Sequence, residues 1–292
     1  VDIPRKDAKR ALMTSFYGSK LTPKELFGED TPELSAFYQA AHRVAPGAWE
    51  LLQDLLASWQ PYALKHQWKL PDGFDAVVKV MEKVSARIEV DELEHATFTY
   101  EFHENIGSKT GLANAANVVH SVDAYVLRCI HRRCNYDPSV VETAYVALLA
   151  EKDLRDTYGV LPNPDLKPSS ELAYYLEQAQ RSGMVDVVVL PYIRYGKDTQ
   201  YLPTEYITKL LGIVEGMLQY APFPVVSVHD EFKTHPNKMN HLRQQYINVF
   251  AELAESRLLD DILSQIHGTP GTFVKLSQDL GQHIRKGNYA LS

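Results

Sequence analysis

The first residues with a chemical pattern lie near the start of the chain, where two cations and an aromatic ring recur every four positions. On a helix predicted over 4–18 they share one face, in the order Arg5, Lys9, Met13 and Tyr17. At about 1.5 Å per residue this row is roughly 18 Å long. Its cations can hold phosphates, and Tyr17 with Gly18 suits a flat, sugar-bearing group, as in a nucleoside triphosphate. An ordinary surface helix with a basic face has the same spacing, so both interpretations stay open.

A second candidate is Asp230, which with His229 interrupts the apolar run 225–228 before Phe232 resumes it. This pattern predicts a β-hairpin with polar residues at its tip. A carboxylate at such a tip is a common magnesium ligand in phosphoryl-transfer sites. Asp also serves turn geometry, and a single carboxylate is not a metal site, so the residue alone does not decide.

Two polar groups lie on a helix predicted over 111–134. His120, followed by Ser121 and Asp123, is interpreted as a hydrogen-bonded structural residue rather than an acid or base. The basic run 131–133 either contacts a nucleic-acid backbone or is solvated, and solvation is the default.

These residues need helices and short strands to position them. Helical spacing and proline and glycine signals predict helices over 4–18, 32–43, 47–66, 111–134, 139–158, 169–182, 203–220 and 236–266. Strands are predicted at 74–90 and 97–102, and the clean alternation of the second indicates that one of its faces is buried. Prolines punctuate 135–224, which indicates an insertion or subdomain.

The chain has 292 residues, of which 45% are apolar, enough for one large domain or two ordinary ones. A net charge of −7 argues against a general nucleic-acid coat and a membrane-surface helix. The first twenty residues run against this average, with five cations and two anions. Positive charge is therefore concentrated in the first predicted helix.

The two cysteines, Cys129 and Cys134, cannot form a disulfide framework, and their spacing is a poor zinc signal. We expect reduced intracellular thiols. The sequence has no run of 18 apolar residues and no secretory signal, which predicts a cytoplasmic protein without a membrane segment. Because the sequence begins with Val, we expect a longer gene product.

Four segments in order along the chain resemble motifs of the single-subunit RNA polymerases of bacteriophages and mitochondria. Residues 5–18 follow the fingers-helix pattern R-x₃-K-R-x₂-M-T-x₂-Y-G, and residues 117–123 follow N-x-V-H-S-x-D. Residues 228–230, Val-His-Asp, are similar to the second palm motif, and residues 289–290 to the aromatic-Ala terminus. The resemblance implies DNA-directed RNA synthesis.

The resemblance also implies a role for each matching residue. Arg5 and Lys9 would bind the triphosphate, and Lys9 would stabilise or protonate the departing pyrophosphate. Tyr17 would lie at the sugar, with His120 in the same 2′-hydroxyl neighbourhood. Asp230 would ligate both catalytic Mg²⁺ ions.

The implied fold is α+β, the palm and fingers portion of a right-hand polymerase, mostly helical with a small antiparallel palm sheet. We expect fingers at 1–68, palm-associated strands and a helix at 69–134, and a helical insertion at 135–222. The palm hairpin and C-terminal helix would occupy 223–292.

One family feature has no counterpart in the sequence. The first palm motif, which supplies the other metal-binding carboxylate, would precede Val1. We therefore expect a missing N-terminal region or a second polypeptide, as in the two-subunit middle-gene RNA polymerase of the enquatroviruses. The other expected partners are a DNA template, the RNA product and nucleoside triphosphates. The expected compartment is the cytoplasm of an infected bacterial host rather than the mitochondrial matrix.

Two other functions remain open. A family-A DNA polymerase fragment has a similar first helix and Val-His-Asp-Glu hairpin, but Met13-Thr14 and the segment around His120 favour the RNA enzyme. A non-catalytic nucleic-acid-binding subunit that retains the polymerase fold is the alternative from another class.

Overall fold

The computed structural model describes residues 3–107, 111–159, 168–228, 231–271 and 274–287. Within these ranges the chain forms eleven α-helices: α1 Arg5–Phe16, α2 Leu21–Phe27, α3 Pro32–Val44, α4 Pro46–Ala57, α5 Leu112–Cys134, α6 Pro138–Tyr158, α7 Ser170–Ser182, α8 Thr204–Leu218, α9 Met239–Glu255, α10 Leu258–His267 and α11 Leu280–Lys286. The six strands in the same ranges are β1 Lys65–Lys69, β2 Asp75–Lys79, β3 Glu82–Val90, β4 Ala96–Glu104, β5 Val226–Val228 and β6 Glu231–Lys233.

Helices dominate, and the strands pair two by two in the order of the chain. β3 with β4 and β5 with β6 are antiparallel. The predicted α+β class, mostly helical with small antiparallel sheets, is confirmed at this level. Among the described helices, none has the length and apolar character needed to cross a membrane.

Residue contacts divide the chain into two compact units. The first contains 1–68, 76–120 and 265–268, and the second contains the remainder. One division falls inside α5, after His120, and the turn of the β1–β2 hairpin groups with the second unit. The four-part division expected from the sequence stays a prediction.

The first unit is built around tryptophan and leucine side chains of α4 and β1. Trp49, Leu52, Leu55 and Trp68 are all less than a tenth exposed. Phe16 of α1 packs against Trp49, with ring centroids 5.5 Å apart. These aromatic contacts hold the first helix on the core of its unit.

The prediction of a helix over 47–66 was wrong in its second half, because α4 ends at Ala57. Ser58 Oγ donates a hydrogen bond to the Leu55 carbonyl at 2.7 Å, which takes an acceptor away from the helical ladder. Pro61 then lacks the N–H that a continuing helix would use. The chain beyond it forms β1, a strand that the sequence pattern had not predicted.

The strand predicted over 74–90 is two strands, β2 and β3, separated by a short break. The strand predicted at 97–102 is confirmed within β4, but the expectation of a buried face was wrong. Every residue of β4 after Ala96 is exposed.

The second unit has its own apolar core, formed by α6, α7, α8 and a 3₁₀ helix at Val187–Tyr192. Helix ends follow local sequence signals. Asp137 Oδ1 accepts a hydrogen bond from the Ser139 N–H at 2.9 Å at the start of α6, and Ser169 caps α7 in the same way. Gly159 and Gly183 end these helices with positive φ.

The helix predicted over 236–266 is two helices, α9 and α10. Ser256, between them, has an extended backbone, and its Oγ accepts a hydrogen bond from the Leu258 N–H at 3.2 Å. The Arg257 N–H donates to the Ser182 carbonyl at 2.7 Å. A tertiary hydrogen bond and a serine cap thus replace the continuous helical ladder that hydrophobic periodicity predicted.

Candidate active site

The C-terminus of α1 is a well-formed Schellman cap. The Gly18 N–H donates to the Ser15 carbonyl at 2.9 Å, and the Ser19 N–H donates to the Thr14 carbonyl at 3.0 Å. Gly18 has φ +83°, the left-handed conformation that this motif requires. Tyr17 is therefore held at a defined position, as the last residue before the chain turns away.

The four-residue row predicted on α1 faces away from the unit's core. The opposite face carries Ala11 and Ser15, both buried. Arg5 and Lys9 are exposed, and neither forms an ion pair with a described carboxylate. No described carboxylate therefore neutralises their positive charges, and guanidinium and ammonium groups of this kind can bind an anion.

Tyr17 and His120 lie together, although about a hundred residues separate them in the chain. The centroids of their rings are 5.1 Å apart and the ring planes are inclined by 54°. Tyr17 is half-buried, whereas His120 is exposed. The phenol and the imidazole thus form one polar-edged aromatic surface at the C-terminal end of the α1 row.

The start of α5 is anchored in the first unit, and this anchor positions His120. Asn114, fully buried, donates from Nδ2 to Ser58 Oγ at 3.1 Å. Gly111 lies so close to α4 that a Cβ there would be 2.7 Å from the Leu56 carbonyl oxygen. Only glycine permits this approach without movement of backbone.

Gly18 faces the same packed region. A Cβ built on it would lie 2.4 Å from Leu112 Cδ2, with Leu52 and Leu56 each at 3.8 Å. The left-handed conformation of the cap is a sufficient structural reason for glycine. Its predicted role in letting a nucleotide approach the backbone stays a prediction.

Asp230 and His229 lie outside the described residues, as do Tyr289 and Ala290. The strands on either side of 229–230 are described, and they form the predicted hairpin, with Val228 opposite Glu231. Phe232 of β6 packs against Tyr246 of α9, with ring centroids 5.6 Å apart. The metal-binding role of Asp230 stays a prediction.

In the basic run 131–133, Arg133 is buried and both arginines are paired with acidic side chains. Arg133 is 1% exposed and makes a bidentate ion pair with Glu252, with N–O distances of 2.8 and 2.5 Å. Arg132 Nη2 lies 2.6 Å from Asp186 Oδ2. Both alternatives considered from the sequence were wrong for Arg133, whereas the side chain of Arg132 is paired with acidic groups and 24% exposed.

A buried ion network surrounds Arg132. Asp72, at the turn between β1 and β2, accepts from Arg128 Nε at 2.6 Å and from Arg132 Nη1 at 3.1 Å. Burial alone would raise the pKa of Asp186, but the Arg132 guanidinium, the Val188 N–H and Arg133 together hold this pKa below its usual value. The partners lie far apart in the sequence, so local pattern could not reveal the network.

The two cysteine thiols are buried and make no disulfide. Burial raises the pKa of Cys134 to about 12. It also raises the pKa of Cys129, whose thiol donates to Asp186 Oδ2 at 3.3 Å. Protonated, enclosed thiols are neither nucleophiles nor metal ligands.

One group in the described part of the chain brings three possible metal ligands within 4.8 Å of one another: Glu89, Asp91 and His95. All three are exposed. His95 Nδ1 lies 2.9 Å from Glu89 Oε1 and 3.2 Å from Asp91 Oδ1, so the side chains already satisfy one another. This cluster is not specific for magnesium.

Comparisons with known proteins add no identification. No protein-family model matches the chain, and its sequence matches no curated protein.

Proposed function

We propose that this chain is the fingers and palm portion of a DNA-directed RNA polymerase of the single-subunit type. The observation that carries the proposal is the contact between Tyr17 and His120, at 5.1 Å between ring centroids. Two separate sequence motifs assign these residues to the ribose of the incoming nucleotide, and the two rings lie side by side.

The basic row on α1 supports a triphosphate substrate. Arg5 and Lys9 are exposed and have no described carboxylate partner, and the row continues toward the Tyr17–His120 pair. Over roughly 18 Å, cations are followed by an aromatic, hydrogen-bonding surface. An elongated anion with a sugar at one end matches this order.

The chain's own residues would act in sequence along the substrate. Arg5 would orient the triphosphate, and Lys9 would stabilise or protonate the pyrophosphate as it departs. Tyr17 and His120 would contact the ribose and favour the 2′-hydroxyl, since polar groups built for that hydroxyl lose a partner with a deoxynucleotide.

The family resemblance assigns magnesium to a single carboxylate of this chain. Mg²⁺ prefers carboxylate oxygens, and Asp230 is the one carboxylate that the family resemblance assigns to the metal. When bound, the ions would activate the attacking 3′-hydroxyl and neutralise the leaving phosphate. The remaining ligand would come from a region outside this chain or from a second polypeptide.

The test uses the complete assembly, with its polypeptides identified by mass spectrometry, in a primer-extension assay on a DNA template. We expect Asp230→Asn to abolish synthesis and the neighbouring Glu231→Gln to retain most of it. Full activity of Asp230→Asn would show that the chain is a non-catalytic subunit. A clear preference for deoxynucleotides by the unaltered assembly would instead assign it to the family-A DNA polymerases.

A further inference from the structure

The β3–β4 hairpin is a two-stranded ribbon with one face that is apolar except for a pair of glutamates at its end. Nine residues of each strand pair in register, from Glu82 opposite Glu104 to Val90 opposite Ala96. Alternate cross-strand pairs share a face. Between the terminal glutamates, one face carries only apolar side chains: Val84, Ala86, Ile88, Val90, Ala96, Phe98, Tyr100 and Phe102.

This apolar face is open to solvent in the described structure. Ile88, Phe98, Tyr100 and Phe102 are between 36% and 52% exposed, and the rings of Tyr100 and Phe102 stack at 5.5 Å. An isolated two-stranded hairpin is marginally stable in water, and contiguous exposed apolar surface on a folded protein marks an interaction site. The alternation in β4 predicted a buried face, and a partner molecule bound to the apolar face would bury it.

The other face of the ribbon is polar and internally satisfied. Lys83 Nζ lies 2.6 Å from Glu101 Oε2, and the Arg87 guanidinium donates to Thr97 Oγ1 at 2.7 Å. These cross-strand contacts hold the strands in register. The ribbon therefore needs no partner on its polar side in order to present a defined apolar surface.

Charge on the ribbon selects the kind of partner. Residues 82–104 contain seven Asp and Glu against two Lys and Arg. The carboxylates of Glu82 and Glu104 lie on opposite strands at one end of the apolar face, and Asp91, Glu92 and Glu94 lie at the turn at the other. This surface repels a nucleic-acid backbone and a second copy of itself, and attracts a partner with cations at both ends of an apolar stripe.

The dimensions select the shape of the partner. A nine-residue strand is roughly 30 Å long at about 3.3 Å per residue, the length of a helix of about 20 residues. A strand added to the ribbon edge would leave the apolar face exposed, whereas an amphipathic helix laid along it would cover it.

We infer that the apolar face of the β3–β4 ribbon is the docking surface for an amphipathic helix of a partner protein, with an apolar stripe flanked at both ends by Lys or Arg. The inference rests on the ribbon alone and is independent of polymerase activity.

The test measures fluorescence anisotropy of labelled 20-residue peptides with the full 292-residue chain. One peptide is an amphipathic helix with a leucine stripe and lysines at both ends, and the second replaces those lysines with glutamates. We expect the lysine peptide to bind at least tenfold more tightly. Phe98→Ser with Tyr100→Ser should weaken its binding at least tenfold, whereas Thr97→Ser with Thr99→Ser, on the polar face, should change it less than twofold.

A second variant separates recognition from folding. Glu82→Gln with Glu104→Gln keeps the apolar face and removes a like-charge cross-strand pair, so we expect this variant to fold. We also expect a smaller difference in affinity between the lysine peptide and the glutamate peptide. Equal binding of both peptides by the unaltered chain, or no effect of Phe98→Ser with Tyr100→Ser, would overturn the proposal. Duplex DNA binding, or dimerisation seen by sedimentation, that is lost with the same two substitutions would also overturn it.

Discussion

The phenol ring of Tyr17 lies against the imidazole ring of His120, with 5.1 Å between their centroids. Tyr17 is held by the Schellman cap of α1, and His120 by a helix whose start is hydrogen-bonded to Ser58 through Asn114. Two anchored elements thus present one aromatic surface. If a nucleotide ribose binds there, both side chains affect the same step.

Replacing Tyr17 with Phe keeps the ring and removes its hydroxyl. We expect discrimination between ribo- and deoxynucleotides by the complete assembly to fall about tenfold, the effect of about one lost hydrogen bond. The measurement is the ratio of incorporation efficiencies for the two substrates. Tyr62→Phe, at a tyrosine 73% exposed, is the matched control and should leave the ratio unchanged.

His120→Ala should reduce the same discrimination, and its combination with Tyr17→Phe should be less than additive, because contacting residues share an interaction. Fully additive effects of the two substitutions would argue against a common ribose surface.

The two lysines of α1 offer a matched pair for the phosphate prediction. Lys9 belongs to the row with Arg5 and Tyr17, whereas Lys6, which is also exposed, does not. We expect Lys9→Ala to lower the rate of nucleotide incorporation about 100-fold and Lys6→Ala to have less than a twofold effect. Similar losses of incorporation rate in both variants would indicate that the row attracts the substrate only by nonspecific electrostatic interaction.

Gly18 tests the cap that holds Tyr17. With φ +83°, an Ala there should destabilise the first unit by about 1–2 kcal/mol, whereas Asn tolerates this conformation better and should cost less. Leu112, the nearest side chain, is 42% exposed and can move. Urea unfolding followed by tryptophan fluorescence suits this test, since all three tryptophans lie in the first unit. An Ala variant as stable as the original would contradict the prediction.

Asp72 tests the ion network at the turn between β1 and β2. Its side chain is 4% exposed and accepts from both Arg128 and Arg132. Asp72→Asn should cost about 3 kcal/mol, because the arginines lose a buried counter-charge. Asp75→Asn is the control, since the Asp75 side chain is 43% exposed and 3.4 Å from Lys69, and an exposed pair contributes less than about 1 kcal/mol. Thermal unfolding by circular dichroism makes the comparison, and equal effects would show the network to be energetically unimportant.

His66 predicts a pH dependence of the first unit. It is 3% exposed, and its Nε2 accepts from the Gln60 N–H at 3.2 Å. Burial, with a contribution from His267, lowers the pKa of His66 below its ordinary value near 6.5. As the pH falls, His66 is therefore protonated in the unfolded chain before it is protonated in the folded chain. The free energy of unfolding decreases as the pH drops below about 7, by at most ~1.4 kcal/mol per pH unit.

The corresponding measurement is the urea midpoint of tryptophan fluorescence at pH 7.5 and 5.5. His66→Gln removes the titrating group and should flatten the difference between the two midpoints. An unchanged pH dependence in that variant would assign the effect to other groups.

Much of the helical structure was predictable because its causes are local. The spacing of apolar residues, Asp137 and Ser169 as caps and glycines at helix ends specify α6 and α7 within a few residues. The break between α9 and α10 was missed because it depends partly on a hydrogen bond from Arg257 to Ser182, a residue distant in sequence.

Predictions about environment were weaker than predictions about elements. Alternation in β4 correctly indicated a strand but not which face, if any, the chain covers. The run 131–133 looked solvated because its counter-charges, Asp72, Asp186 and Glu252, are distant in the sequence. Burial and ion pairing depend on which segments meet, and local pattern does not carry that information.

The sequence by itself determined the basic row of α1, the helix that carries it and the glycine that ends it, because a four-residue spacing and a cap act within a few residues of the chain. The resemblance of these motifs to the single-subunit RNA polymerases stays a prediction. Only the tertiary structure decided that Tyr17 meets His120, that Arg132 and Arg133 pair with acidic side chains, and that no described residue covers the apolar face of the β3–β4 ribbon. Those outcomes depend on contacts between distant segments, which form only when the core brings the segments together.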